Sequence, residues 1–226
     1  MKLTIVISII ILLINEVTHG QNPESANVQF YELMKARNPA STDEIIGSPY
    51  LEKEWGDIKI FLKDSSHYKL SNSNINIFTP SIDIVHNQIL KEIPLQFVDK
   101  IIKIKSEKEK IYKPAIRFEK FGIKNKGFVE VCEIKNYSIL THHFITIQKP
   151  DPQAQILGTE KRTKYIHTKK LYILENKQLY PIHGKKDLKE ILKSQYKAAE
   201  EIIKVLDLDV ENADDLMTLM KKIENL

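Results

Sequence analysis

Cysteine is all but missing from this chain of 226 residues. The single thiol, Cys132 in "GFVEVCEI", cannot make an internal disulfide, so the fold must rest on an ordinary apolar core. Glycine is scarce too, at 7 residues. No Gly-x-Ser-x-Gly elbow, phosphate loop or His-Glu-x-x-His helix occurs. That removes common sequence signs of a serine hydrolase, a nucleotide-binding enzyme and a zinc peptidase. Neither sign of charge dominates, since 34 basic and 30 acidic residues leave +4. Such mild basicity gives no argument for nucleic acid.

What is present begins with "MKLTIVISIIILLINEVTHG". Lys2 precedes an apolar run from Leu3 to Ile14, about twelve residues, the length of a signal-peptide core and too short to span a bilayer. Thr18 and Gly20 suit a cleavage site, so cleavage is expected after Gly20, leaving Gln21 first. No cysteine follows the run to carry a lipid. Losing Lys2 and Glu16 leaves the net charge at +4. The expectation is export, to the periplasm or the medium, with no transmembrane span after cleavage and no nucleic acid as partner.

Residues 21–43 are polar, with one weak helical pattern in "VQFYELMKAR", and read as an N-terminal segment after the signal peptide of residues 1–20. From 44 to 183 the signal has period two. "DIKIFLKD", "NINIF", "IDIV", "PLQFV", "KIIKIK", "IRFEKF", "GFVEVCEI" and "LYIL" are short β-rich runs. The turn signals "KDSS", "TPS", "IKNKG", "IKN" and "LENKQ" separate them. Short strands joined by short turns predict an antiparallel meander, as a sandwich or an open barrel. Pro150 and Pro152 interrupt regular pairing and mark residues 149–162 as a long loop.

The period changes over residues 184–226. Leu188, Ile191, Leu192, Ala199, Ile202, Ile203 and Leu206 form one helical stripe, with a break near Ser194. Asn212 is a suitable N-cap for a second helix, with Asp214 and Asp215 in its first turn. Leu216, Leu219, Met220 and Ile223 form its apolar face. The fold class expected is α+β: an antiparallel β region, 44–183, followed by a C-terminal helical hairpin.

"GSPYL" at 47–51, "NINIF…IDI", "LYILENKQLYPI" and the Lys-rich tail ending near "DDL" follow one another in this order. The chain thereby resembles a family of exported β-rich proteins from Gram-negative bacteria whose function is not assigned. The resemblance implies export and a β-then-α order, and supplies no catalytic residues. Where the family carries Arg-Tyr-Asn, this chain has Ser73-Asn74-Ile75.

Residue chemistry offers few sites. His142 and His143, in "ILTHHFITIQ", point to opposite faces of a regular strand and cannot chelate one metal. One is expected inside and the other in solvent. Asp83 and His86 face apart for the same reason. "DLDVENADDLMT" opens like a calcium loop at Asp207, Asp209 and Glu211 but has Asn212 where glycine is required and Thr218 where glutamate is required. Cys132, in an alternating strand, reads as a core residue. No catalytic residue, metal site or cofactor is therefore assigned.

Charge placement is more informative. Residues 99–126 hold nine lysines and Arg117 against four acids, while residues 207–226 hold six acids against two lysines. Lys100, Lys103, Lys105, Arg117, Lys124 and Lys126 are the candidate binding residues. The partners expected are an anionic glycan, an envelope lipid headgroup or an acidic protein. The function expected is non-enzymatic binding in the cell envelope. The alternatives are a secreted hydrolase whose dispersed His and acidic residues converge, and an assembly partner docking through its C-terminal helices.

Overall fold

A computed structural model describes residues 34–36, 45–105, 108–156 and 162–225. The expected signal peptide and most of the polar segment lie outside these residues. The chain divides into two units, Met1–Lys35 and Ala36–Leu226, with the boundary inside a two-residue strand, β1 (Lys35–Ala36). Met34 and Lys35 are the described residues of the first unit. Everything below concerns the second.

Its strands are β2 (Ile45–Ile46), β3 (Gly56–Leu62), β4 (His67–Asn76), β5 (Ser81–His86), β6 (Ile89–Pro94), β7 (Val98–Lys105), β8 (Lys108–Pro114), β9 (Phe128–Glu133), β10 (Tyr137–Gln148), β11 (Thr163–Glu175) and β12 (Gln178–Ile182). They form one sheet in the order β6-β5-β4-β3-β7-β8-β9-β10-β11-β12. Every pairing on that path is antiparallel, and the short β2 adds a parallel pair to the start of β11. The path has two ends, so the sheet stays open. Two of its hairpins turn on two residues with positive φ, Asn87-Gln88 and Asn176-Lys177. Mirror-image turns of this kind match the twist of paired strands.

The helices are α1 (Pro152–Ile156), α2 (Lys185–Leu192), α3 (Tyr196–Leu206) and α4 (Ala213–Ile223). The expected break near Ser194 is a 3₁₀ turn, Lys193–Gln195, entered through a positive φ at Lys193. Asn212 caps α4, its side chain accepting from the Asp214 and Asp215 N–H groups. Leu188, Leu192, Ala199, Ile203, Leu216, Leu219, Met220 and Ile223 are buried against Ile139, Leu171, Ile173 and Ile182. Most of the helical stripe is thus covered by the sheet, while Leu206 at its end is exposed. The architecture is α+β, an open antiparallel sheet followed by C-terminal helices. No described helix is long and apolar enough to cross a membrane.

Three runs differ from their sequence reading. "IRFEKF" is not a strand but part of a 3₁₀ segment, Ala115–Phe121. Its residues Ala115, Phe118 and Phe121 recur every third position, and this face packs on Val129, Val131 and Leu140. "PLQFV" likewise contains a 3₁₀ turn, Leu95–Phe97, after Pro94. The loop 149–162 holds the helical turn α1, where Pro152 is the first residue and Asp151 Oδ1 accepts from the Gln153 N–H at 2.8 Å. Residues 157–161 lie outside the described set.

Candidate functional site

The sheet has two covered faces around β9–β11. On one, the helices pack over Ile139 and Ile173. On the other, the 115–121 segment packs over Val131 and Leu140. Period two therefore assigns each neighbour in "THH" to a different cover. His142 is 2% exposed and His143 5% exposed, so the expectation that one faces solvent is wrong. The sheet is covered on both sides here by segments remote in sequence.

His142 is sealed by the loop that follows the 3₁₀ segment. Gly127, at φ +72°, lies so close to β10 that an added Cβ would sit 2.0 Å from the His143 carbonyl oxygen. This approach brings the Lys126 carbonyl to 2.6 Å from His142 Nε2. Burial depresses the His142 pKa, against the raising effect of the Lys126 hydrogen bond. A neutral ring donating to that carbonyl is a structural clasp.

His143 belongs to a polar cluster on the helix side. Cross-strand pairs set Tyr112 beside Glu130, Glu130 beside Thr141, and His143 beside Lys169. Lys110, two residues before Tyr112, shares this face. Its Nζ donates to Glu130 Oε1 at 2.6 Å, and Glu130 Oε2 lies 3.4 Å from His143 Nε2. Burial alone would raise the Glu130 pKa, but His143 and Lys110 outweigh it and hold the carboxyl at about 2. Burial and the Glu130 charge push the Tyr112 phenol upward.

Above this cluster the helices leave a gap. The segment Glu211–Asp214, which leads into α4, roofs a cavity of about 510 Å³ floored by Glu130, Thr141 and His143 and walled by Lys169. A smaller cavity of about 90 Å³ adjoins it toward Cys132 and Met217. His143 Nε2 is buried and makes no hydrogen bond, Glu130 being at the outer limit of reach. The Thr141 hydroxyl, also on the floor, has no hydrogen-bond partner among the described residues.

A second space is larger, about 740 Å³, and more open. It runs along β3, β4 and β7 past Trp55, Lys59, Lys69 and Ile102. Its charges are largely spent on neighbours: Lys69 pairs with Asp57 at 2.9 Å, and Lys59 lies over the Phe61 ring. The smaller cleft holds the buried group with an open valence, and chemistry outranks size here.

The lysines singled out by charge are spread over the surface. Lys100 sits 4.6 Å from the Phe61 ring centroid, while Lys103 points to the other side of β7 by register and borders the open groove. Lys105 pairs with Lys108 at the end of the β7–β8 hairpin. Arg117 pairs with Asp99 at 2.5 Å. Lys124 and Lys126 are exposed in the loop that clasps His142.

Other sequence features have local roles. Asp83 is fully buried and accepts from Ser81 Oγ, Asn76 Nδ2 and Tyr50 OH at 2.7, 3.2 and 3.0 Å. It ties the "GSPYL" segment to the β4–β5 hairpin, so residues from the family-like motifs meet in one satisfied network. In the acidic loop, Asp209 Oδ1 accepts from the Glu211 N–H and Asn212 serves as the cap. Cys132 is half-buried against Met217, and burial raises its thiol. Among the described residues no group of three or more His, Cys, Asp or Glu is placed to hold a metal.

Period two from Ile139 was enough to put Thr141 and His143 on one face. The roof at Glu211–Asp214, seventy residues later, carried no such signal. No protein-family model, curated protein or solved structure matches the chain.

Proposed function

We propose that the chain is an exported, non-enzymatic binding protein of the cell envelope that holds a small polar ligand in the cleft between β9–β11 and the start of α4. The observation that carries this reading is the cleft floor. Buried polar groups are bonded in the great majority of cases. The His143 nitrogen, which meets Glu130 Oε2 only at 3.4 Å, and the neighbouring Thr141 side chain instead line a space within the usual range for small-molecule sites. A ligand completes both. Export is supported by the N-terminal charge, apolar run and small residues. A binding role is supported by the geometry of the cleft floor, where Glu130 is held by Lys110 at 2.6 Å beside His143.

The test is thermal unfolding of the chain beginning at Gln21 against a panel of amino acids, sugars and organic acids. Some members should raise Tm, and Ala213→Leu, which narrows the cleft, should abolish the shift, with circular dichroism showing that the variant still folds. A panel without any shift contradicts the reading. A secreted form that retains Leu3 to Ile14, seen by mass spectrometry, contradicts the export.

The same convergence of His143 and Glu130 favours a second reading, a hydrolase using the imidazole. Turnover of a chromogenic ester, phosphoester or glycoside that disappears in His143→Gln would replace the binding reading. Docking through the helices has less support, because the stripe from Leu188 to Leu206 is mostly buried or partly buried, with Leu206 at its end exposed. Binding of an anionic glycan, a lipid headgroup or an acidic protein to the basic strands has less support as well, because those side chains are dispersed and several are paired.

A further inference from the structure

We infer that the cleft selects a zwitterion of amino-acid or dipeptide size, with its carboxylate toward β11 and its ammonium toward the start of α4. This rests on the binding reading above and goes further by fixing the ligand's charge pattern. The cavity is lined on its sheet side by Lys169, which shares the face of His143, and on its helix side by Glu211 and Asp214. The floor charges cancel internally, since Lys110 and Glu130 pair at 2.6 Å. Asp214 keeps a long contact of 3.8 Å with Lys108. Lys169 and Glu211 make no ion pair among the described residues.

The cleft thus offers opposite charges on different walls. A simple anion would satisfy Lys169 and be repelled by Glu211 and Asp214. A simple cation would meet the reverse. A molecule with both charges satisfies both walls at once, and opposed charges across a site penalise partners of the wrong pattern. Thr141 and His143 lie between, and their open valences suit the amide or hydroxyl that joins the two ends. The cavity, about 510 Å³, leaves room for a short chain between those ends.

The experiment is calorimetric titration of the chain from Gln21 with alanyl-alanine, its N-acetyl derivative and its C-terminal amide. The free dipeptide should bind, and each capped form should bind at least about tenfold more weakly. Glu211→Gln should erase the penalty for acetylation, and Lys169→Gln should erase the penalty for amidation, whereas Lys170→Gln, on the other face of β11, should leave it in place. Equal binding of the three peptides overturns the zwitterion assignment. So does failure of all three to bind. If another panel compound still gives a shift that Ala213→Leu removes, only the charge assignment falls. If no compound of any class does so, the cleft reading falls with it.

Discussion

His142 and His143 stand side by side in the chain and meet different surroundings because a strand sends successive side chains to opposite faces. His142 donates to the Lys126 carbonyl, and burial lowers its pKa. Below the ordinary value of 6.5 the unfolded chain therefore takes up a proton before the folded one. This contribution to stability is fully present above that pH and is lost as pH falls through the depressed folded value. Urea unfolding at pH 7.5 and 5 should show wild type losing stability on acidification, and His142→Gln losing distinctly less. An equal loss in both would assign the acid sensitivity elsewhere. Gly127 makes the same clasp possible. Its positive φ and the 2.0 Å approach to the His143 carbonyl predict that Gly127→Ala costs about 2 kcal/mol or more, read from the urea midpoint. A midpoint within error of wild type would show that the loop does not press on β10.

At the scale of elements, hydrophobic period was the legible signal wherever one cover lay along a whole strand. Ile58, Ile60 and Leu62 alternate as a strand should, and all three are buried. "IRFEKF" shows the limit of this signal. Ile116 and Phe118 alternate like strand residues, but Pro114 ends the ladder and the third-residue face of Ala115, Phe118 and Phe121 finds the sheet. The cap of α4 was legible because capping is local: Asn212 and the two N–H groups it accepts lie within three residues. Asn212→Ala should therefore cost about 1 kcal/mol. Because the cap also shapes the cleft roof, the variant should weaken ligand binding along with stability. A lowered Tm with unchanged ligand shift would separate the helix start from the cleft.

Across the whole second unit, sheet and helices enclose the cleft between distant parts of the chain. Glu130 and Thr141 pair across one hairpin, while the roofing Glu211 and Asp214 arrive after the entire helical excursion. Local patterns could mark each wall but not their meeting, which is why the charge runs alone pointed to the dispersed lysines instead. The most direct measurement uses the two histidines as opposed reporters. Side-chain nitrogen resonances of His142 and His143 are followed by NMR during titration with alanyl-alanine or with any panel compound that raises Tm. The cleft reading predicts that the His143 ring moves with saturating dependence while the His142 ring, clasped on the far face, stays in place. A saturating response that leaves His143 unmoved, with changes confined to the open groove around Trp55 and Lys59, would contradict it.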